Sequence, residues 1–220
     1  MMIDAVIPAR GGSRRLPGKN LAVIGQRRLI EHSIQFALDH PRIRQVFVST
    51  DDTGIADVAQ AAGALVLARP AELATDDATT SSALQHAWGH IEREGGVDAI
   101  VTLQPTSPLR LPAWLDECAA LLEASAFDSV ITVSPVSAKV GTIEAGEFKP
   151  QYEFETRSQD LTHHYRENGL IYLTRSAAVA AGSVFGQRVG AVVTDHLFAT
   201  IDIDTEADLR YAQSVMGLTE

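Results

Sequence analysis

Near its start the chain reads Ile3-Asp4-Ala5-Val6-Ile7-Pro8 and then Ala9-Arg10-Gly11-Gly12-Ser13-Arg14-Arg15-Leu16-Pro17-Gly18-Lys19-Asn20. The apolar first part predicts a buried strand, and the second part predicts the loop that follows it. Within twelve residues this loop carries three glycines and four cationic side chains. Glycine lets a backbone bend close to a ligand and present its N–H groups, while Arg and Lys supply the charge that a polyphosphate needs. The loop is therefore interpreted as an anion site. The alternative is an ordinary strand-to-helix connection with solvated cations.

Strands and helices alternate along the rest of the chain. Apolar runs predict further strands at 45–50, 64–68, 97–103, 129–133, 168–174 and 189–193. Helical spacing of apolar residues predicts helices at 29–38, 55–62, 79–94, 112–125, 176–181 and 205–216. Residues 69–77 are expected to form a loop. This alternation predicts an α/β fold, a mainly parallel sheet with helices on both faces.

The composition is that of a packed protein with an acidic balance. Of 220 residues, 45% are apolar and 21% are charged, which suits one domain with a full core. The formal charge of −10 repels nucleic acid and membranes, so a polyanionic substrate has to be met by local cations or a divalent metal. The single cysteine, Cys118, excludes an internal disulfide. Because no basic leader or membrane-length apolar stretch stands out, a cytoplasmic location is expected.

A second chemical feature is the stretch Ile201-Asp202-Ile203-Asp204. In an extended segment, residues two apart project from the same face, so the two carboxylates are expected to converge. Paired carboxylates offer hard oxygen ligands to Mg²⁺, which takes its remaining ligands from water and substrate phosphate. The alternative is that Asp204 caps the following helix, reinforced by Thr205 and Asp208. One residue can serve both purposes.

The opening loop is close to a P-loop but does not match it. Five residues separate Gly12 from Gly18 instead of four, and Asn20 stands where Ser or Thr would hold magnesium. No G-x-G-x-x-G follows the strand, and the histidines lack the spacing of a zinc site. No G-x-S-x-G or Ser–His–Asp arrangement stands out. ATPase, dinucleotide, zinc and acyl-transfer chemistry are therefore disfavoured.

Residues 134–164 depart from the alternating pattern. Gly141, Gly146 and Pro150 interrupt short polar and apolar pieces, which predicts either a hairpin arm outside the sheet or a long surface loop. Polar side chains here, on the next strand and after the fourth strand are candidates for orienting a polar ligand such as an acidic sugar: Gln104, Arg110, Arg157, Gln159, Arg166 and Asn168. Their alternative is simple solvation or pairing with neighbouring acidic residues.

Several stretches together resemble the acylneuraminate cytidylyltransferases, the CMP-sialic acid synthetase family. They are Ile7-Pro8-Ala9-Arg10-Gly11-Gly12-Ser13, Leu16-Pro17-Gly18-Lys19-Asn20, Ser49-Thr50-Asp51, Arg69-Pro70-Ala71-Glu72-Leu73, Leu103-Gln104-Pro105-Thr106-Ser107-Pro108-Leu109-Arg110, Glu167-Asn168-Gly169 and Ile201-Asp202-Ile203-Asp204-Thr205-Glu206. They occur in the family's order and cover nearly the whole chain. The stretch that ends at Arg110 is the most diagnostic, because the related CMP-Kdo synthetases look different there.

This resemblance implies a Rossmann-like nucleotidyltransferase fold, a three-layer sandwich. Residues 1–220 would form a single domain, with an arm inserted at about 134–164 that makes a homodimer and reaches the partner subunit's site. In the family, the 2-hydroxyl of an acidic 2-keto-3-deoxy sugar attacks the α-phosphate of CTP. Pyrophosphate leaves, a CMP-sugar forms, and Mg²⁺ is the cofactor.

The resemblance also implies roles by position. Nucleotide-binding residues are expected to be Arg10, Gly11, Gly12, Ser13, Lys19, Asn20, Arg69 and Thr80. Sugar-binding residues are expected to be Gln104, Arg166 and Asn168. Asp202 and Asp204 would hold the metal and, with Arg10 and Lys19, form the catalytic set. Because residues 136–141 lack a His- and Pro-containing segment common in sialic acid enzymes, legionaminic, pseudaminic and other nonulosonic acids stay open beside Neu5Ac.

Two other classes of function remain as alternatives. A nucleotide-sugar glycosyltransferase is suggested by the Asp202-Ile203-Asp204 spacing, which is similar to that group's metal motif. The position of this motif late in the chain, and the cationic loop at its start, favour a transferase of CTP. A non-catalytic nucleotide-binding module is the other alternative, and the presence of Lys19 together with both aspartates argues against it.

Overall fold

The computed structural model describes residues 1–75 and 78–217; Asp76 and Asp77 of the predicted loop lie outside the described residues. The strands are β1 (Ile3–Pro8), β2 (Val23–Ile24), β3 (Arg27–Arg28), β4 (Ile43–Thr50), β5 (Leu65–Ala68), β6 (Ala99–Thr102), β7 (Ser129–Val136), β8 (Gly141–Glu144), β9 (Glu147–Pro150), β10 (His164–Arg175) and β11 (Val189–Val193). The helices are α1 (Leu29–Asp39), α2 (Thr53–Ala61), α3 (Thr80–Ile91), α4 (Pro112–Glu123), α5 (Ser176–Ala180) and α6 (Glu206–Gly217). Every predicted helix and every strand predicted from an apolar run is confirmed, with shifts of a few residues at the ends.

Seven strands form the main sheet, in the order β11-β7-β10-β6-β1-β4-β5. Strand β1 pairs in parallel with both β4 and β6, β4 pairs in parallel with β5, and β11 pairs in parallel with β7. Strand β10 is antiparallel to both of its neighbours, β6 and β7. The mainly parallel sheet predicted from the alternation is therefore confirmed.

Helices cover both faces of this sheet. Helices α1, α2 and α4 pack on one face, where Ile7, Val48 and Leu115 are buried together. Helices α3 and α5 pack on the other face, around Phe47 and Leu84. The three-layer arrangement follows because strands buried on both faces need an apolar helix surface on each side. In the part of the chain that the structure describes, no helix is both long and apolar enough to cross a membrane.

Strands β7 and β10 extend further than predicted. They remain paired as far as His164 opposite Val136, and the register shifts between Glu167 and Tyr172. This extension carries exposed polar side chains such as Arg166, so the apolar run that signals a strand is missing there. The shift in register is a bulge, and it contains Asn168.

The hairpin β8–β9 lies outside the main sheet, within the segment 134–164 that departs from the pattern. Its turn is formed by Ala145 and Gly146, both at positive φ, which is the backbone that a two-residue hairpin turn requires. Of the two alternatives for this segment, the hairpin is the one observed. Its predicted role in dimerisation stays a prediction.

Candidate active site

A cleft of about 680 Å³ opens at the carboxyl ends of β1 and β6. The chain leaves β1 towards β4 and later returns to the other side of β1 as β6, so the cleft lies where the strand order reverses. In open α/β sheets this switch point is where ligands bind. Its lining consists of Pro8, Arg10, Ser13, Arg14, Arg15, Lys19, Asn20, Arg69, Ala78, Thr79, Thr80, Ala83, Gln104, Pro105, Thr106, Asp202 and Asp204.

The cleft brings together most of the residues predicted from the sequence. Those that line it are Arg10, Ser13, Lys19, Asn20, Arg69, Thr80, Gln104, Asp202 and Asp204. Among the residues that the structure describes, five cationic and two acidic side chains line this cleft, in a chain whose formal charge is −10. A positive site in an acidic protein focuses an anionic ligand at that site.

The glycines of the loop shape its backbone and do not line the cleft. The N–H of Gly11 donates to Oδ1 of Asp51 at 3.0 Å, which ties the loop to the end of β4. A Cβ at Gly11 would lie 2.6 Å from Oδ2 of Asp52, so no larger residue fits there without a shift. A Cβ at Gly12 would meet nothing within 4 Å. Asn20, which is buried, closes the loop by donating its Nδ2 to the carbonyl of Arg10 at 2.9 Å.

Arg69 is a buried cation beside the cleft. Its Nε donates to Oγ of Ser49 at 3.1 Å, and its Nη2 donates to the carbonyl of Ser49. Burial lowers the pKa of the Arg69 guanidinium, and the carboxylate of Asp51 partly opposes that effect. Both acceptors are neutral oxygens of Ser49, so they do not cancel the positive charge of Arg69. This charge can therefore act on an anion in the cleft.

The carboxylate of Asp204 is held by two cations of the opening loop. Lys19 Nζ lies 2.9 Å from Oδ1 and Arg15 Nη2 lies 2.6 Å from Oδ2. Capping of α6 is done instead by Thr205, whose Oγ1 accepts from the backbone N–H of Asp208 at 3.3 Å, while Oδ2 of Asp208 accepts in return from the N–H groups of Asp204 and Thr205 at 3.1 and 2.8 Å. Of the two roles open to the Asp204 side chain, the helix cap is therefore filled by another residue.

Asp202 and Asp204 lie on the same side of a segment that is extended without being a strand. Ile201 and Ile203 are buried beneath it, and the N–H of Ile203 donates to the carbonyl of Thr106 at 2.8 Å. The alternation predicted from the sequence holds, because both carboxylates reach the cleft while both isoleucines enter the core. Within the described ranges, no group of three or more His, Cys, Asp or Glu side chains could hold a metal ion. Two carboxylates open to a cleft nevertheless fit Mg²⁺, which commonly keeps several waters and takes further ligands from phosphate.

The loop that carries Gln104 is fixed by a buried cation, Arg110. Its Nε donates to the carbonyl of Leu170 at 2.6 Å, its Nη1 to Oγ of Ser33 at 2.9 Å and its Nη2 to the carbonyl of Gln104 at 2.7 Å. Burial lowers the pKa of Arg110 to about 9. The guanidinium thus ties the Gln104 loop to β10 and α1, so Arg110 orients this loop from beneath and does not line the cleft.

The structure does not bring the other two predicted sugar residues into the cleft. Asn168 is buried in the bulge of β10, where its Oδ1 accepts from Oγ1 of Thr132 at 2.7 Å. Its Nδ2 donates to Oγ of Ser134 at 3.0 Å and to Oγ1 of Thr194 at 2.7 Å, so the amide is used within the fold. Arg166 is exposed on β10 and donates to the carbonyl of Ala199 at 3.1 Å.

The structure adds functional candidates that the sequence reasoning did not assign. Arg14 and Arg15 belong to the cationic loop but have no separate predicted role, and Thr79 is predicted only as the start of a helix. Tyr172 of β10 does not line the cleft, and in the sequence it reads as one more apolar residue of a strand. Its hydroxyl donates to Oε2 of Glu167 at 3.3 Å. Burial, Glu167 and Asp202 together raise the pKa of Tyr172 to about 12.

The doubly wound sheet and the cationic cleft at its switch point define a nucleotide-binding α/β protein. A solved structure of CMP:2-keto-3-deoxy-manno-octonic acid synthetase with CTP has the same fold, with a TM-score of 0.76, 20% identity and coverage of 100% of both chains. The sequence model of the cytidylyltransferase family matches residues 5–208. The chain therefore belongs to the cytidylyltransferase family.

Two curated relatives are similar to nearly the whole of this chain. The chain is 32% identical to the CMP-N,N'-diacetyllegionaminic acid synthase of Legionella pneumophila, over 100% of this chain and 98% of that protein. It is 30% identical to the N-acylneuraminate cytidylyltransferase A of Danio rerio, over 96% of this chain but only 50% of that protein. It thus spans nearly all of the first relative and about half of the second. Both names fall within the family that the sequence motifs resemble, and membership of the cytidylyltransferases disfavours the glycosyltransferase alternative.

Proposed function

We propose that this protein is a cytidylyltransferase that joins CMP from CTP to a sialic-acid-like nonulosonic acid and releases pyrophosphate. The observation that carries the proposal is the cleft at the switch point, where the cations of the opening loop face the carboxylates of Asp202 and Asp204. Nucleotidyl transfer consists largely of positioning the reactants and neutralising charge on phosphate oxygens. The similarity to sialic and legionaminic acid enzymes supports this choice of sugar class.

The opening loop would hold the triphosphate. Arg10 and Lys19 supply charge to the phosphate oxygens, and Ser13 lines the same wall of the cleft. On the facing wall, Thr80 and the start of α3 offer a hydroxyl and backbone N–H groups, a favourable place for an anion. Arg69 adds a buried positive charge whose position is fixed by Ser49.

Asp202 and Asp204 would hold Mg²⁺. When bound, this ion withdraws charge from the phosphate oxygens of the nucleotide. The protein contributes two carboxylates on a segment that is anchored by Ile201 and Ile203, so their positions are set by the core before substrate arrives.

The sugar would occupy the part of the cleft near Gln104. Arg110 fixes the backbone of this residue, which leaves its side chain free to orient sugar hydroxyls. Arg166 remains a proposed contact to the sugar carboxylate, from the exposed surface of β10. For Asn168 we propose an indirect role, since its amide shapes the bulge beside Gly169 and Ser107.

We further propose that the arm at 134–164 joins two copies of the chain. Ile143 and Phe154 are 75% and 72% exposed, and Phe148 is also exposed. Large apolar side chains that cluster on an excursion from the sheet mark an interaction surface, and a second copy is the occupant that the family resemblance implies. We expect the enzyme to work in the cytoplasm, where the buried thiol of Cys118 stays reduced.

The test is pyrophosphate release from CTP in the presence of Mg²⁺ and a panel of keto acids. The panel contains Neu5Ac, N,N'-diacetyllegionaminic acid, pseudaminic acid and an eight-carbon Kdo control. The proposal expects turnover with at least one nine-carbon acid and faster than with the eight-carbon acid. Release only with UTP, or only with a hexose phosphate, would overturn it.

A further inference from the structure

A second cavity, of about 280 Å³, lies beside α1 and the end of the loop that carries Gln104. We call this space the α1 cavity. Its described lining residues and those of the cleft do not overlap, so the two spaces are separate. The lining residues that matter here come from β3, from α1, from the loop before α4 and from the segment before α6: Arg27, His32, Gln35, Phe36, Arg110 and Phe198.

Arg110 brings a buried positive charge to this cavity. Its three hydrogen bonds end on two backbone carbonyls and on the hydroxyl of Ser33, and no carboxylate of the described residues pairs with it. A guanidinium has five N–H donors, so two of them remain for another acceptor. Burial lowers the pKa of Arg110 to about 9, and no nearby acid opposes that effect. A buried charge without a counter-ion is costly, and an anion in the adjoining cavity would reduce this cost.

Two further side chains give the α1 cavity a positive character. Arg27 lines it and is exposed. Burial lowers the pKa of His32, and the charges of Arg27 and Arg110 add to this effect, while a hydrogen bond to a backbone carbonyl opposes it. The imidazole therefore experiences the field of both arginines. Asp39, an acid of the lining, already accepts from Nε2 of Gln35 at 2.7 Å.

The remaining walls of the α1 cavity are largely apolar. They include Phe36, Phe198, Pro108 and Pro112. The Cζ atom of Arg110 lies 5.8 Å from the centre of the Phe36 ring, so a charge and an aromatic surface adjoin. A carboxylate on an aromatic ring matches both features, since its anionic end suits the guanidinium and its ring suits the aromatic wall. The volume is just below the range of about 300–1,000 Å³ that is usual for ligand pockets, which favours a small ligand.

We propose that the α1 cavity is a second binding site, which takes a small aromatic carboxylate and transmits its occupancy to the cleft through Arg110. Nη2 of Arg110 donates to the carbonyl of Gln104 at 2.7 Å, and Gln104 lines the cleft. An anion that binds the same guanidinium competes with this hydrogen bond and so shifts the backbone of Gln104. By linkage, a ligand that contacts Gln104 changes the affinity of the α1 cavity by the same factor. The proposal goes beyond cytidylyl transfer, because this binding needs neither CTP nor a sugar.

The test uses 4-fluorobenzoate as the probe, followed by fluorine NMR with the substrate-free protein. The neutral 4-fluorobenzamide, which has nearly the same shape, is the matched probe. Gln35→Glu places a carboxylate on the wall of the α1 cavity, and Arg27→Gln removes a charge from it. Gln60→Glu, on the exposed side of α2, is the control. Thermal unfolding verifies that the variants fold, and the backbone amide resonance of Gln104 reports the effect at the cleft.

We expect 4-fluorobenzoate to bind with a Kd on the order of 1 mM, the scale for a ligand of about ten non-hydrogen atoms, and 4-fluorobenzamide to bind about tenfold more weakly. Binding of the acid should weaken about tenfold in Gln35→Glu and about threefold in Arg27→Gln, because each change makes the cavity less positive. Gln60→Glu should match the original protein. The Gln104 resonance should shift along the same binding curve.

Three results would overturn the proposal. The first is equal binding of the acid and the amide, and the second is unchanged binding of the acid in both Gln35→Glu and Arg27→Gln, which would place the probe elsewhere. The third is a Gln104 resonance that stays in place while the probe saturates the protein. Because no turnover is measured, a protein that binds the probe as expected but transfers no CMP would contradict only the proposed function.

Discussion

Lys19 Nζ and Asp204 Oδ1 lie 2.9 Å apart although 185 positions separate the two residues in the chain. The contact joins the loop after β1 to the segment before α6, and it forms one corner of the cleft. The cationic loop and the two carboxylates thus adjoin in a single site.

The Lys19→Gln variant should lose most of its activity because the protein uses CTP less efficiently. The substitution removes a largely enclosed positive charge from the proposed triphosphate site, so kcat/KM for CTP is expected to fall about 100-fold or more. Lys19→Arg keeps the charge and should retain part of the rate. Steady-state kinetics with varied CTP test this, and unchanged CTP kinetics in Lys19→Gln would contradict the role.

Asp202→Asn and Asp204→Asn should each remove most turnover while leaving the fold intact. Either change withdraws a negatively charged ligand from the proposed metal site, for which we expect a loss of about 100-fold or more. Asp57→Asn on the exposed side of α2 is the matched control. Because the Asp204 pairs are partly exposed, unfolding temperatures should stay close to that of the original protein. Original rates in either variant would exclude the metal role.

Gly11→Ala should distort the loop, and Gly12→Ala should not. The added methyl group would lie 2.6 Å from Oδ2 of Asp52 at position 11, whereas at position 12 it meets nothing within 4 Å. We expect Gly11→Ala to lower the free energy of unfolding by about 1–3 kcal/mol, the range for overpacking. Denaturant unfolding of the pair measures the difference. Equal stabilities would mean that the close approach to Asp52 does not constrain the loop.

Tyr172 should stay protonated to an unusually high pH. Its pKa is raised to about 12, above the ordinary value of 10, by burial and by the nearby acids Glu167 and Asp202. The unfolded chain therefore releases this proton first, and stability should fall as the pH rises from 10 towards 12. Tyrosinate absorbance should show a late-titrating component that is missing in Tyr172→Phe. A Tyr172→Phe titration identical to that of the original protein would contradict this.

Phe154→Ser together with Ile143→Ser should weaken self-association. Both side chains lie on the exposed arm, and burying them against a second copy is the proposed source of dimer stability. Leu38→Ser on α1, which is 44% exposed and lies outside the arm, is the control. Sedimentation velocity should show a shift from dimer to monomer in the double variant alone. A monomeric original protein, or a dimer that survives the double variant, would exclude this interface.

Much of the fold could be predicted because its signals are local. Each strand of the main sheet, such as β1, contains an apolar run, and each helix has its own apolar spacing, so the alternation needs no knowledge of distant contacts. The extension of β10 to His164 could not be predicted, because exposed polar residues on both faces give no period of two.

The site could be predicted where a residue type by itself implies a chemical role. It could be predicted less well where the role of a side chain depends on a partner that lies far away in the sequence. The carboxylate of Asp202 and the cation of Lys19 line the same cleft, and their predicted roles stay predictions. Asn168 was interpreted as a sugar contact because an amide suits that role. Its amide is instead bound by Thr132, Ser134 and Thr194, and no local pattern reveals that these hydroxyls converge on it.

The most direct test of cytidylyl transfer is the product formed from CTP, Mg²⁺ and a nonulosonic acid, identified by mass spectrometry beside its pyrophosphate. The account predicts a CMP-sugar and pyrophosphate in equal amounts, with little product when UTP replaces CTP and little when Asp204→Asn replaces the original protein. CTP broken down to CMP with no sugar attached would contradict the account, as would an Asp204→Asn variant that makes the CMP-sugar at the original rate.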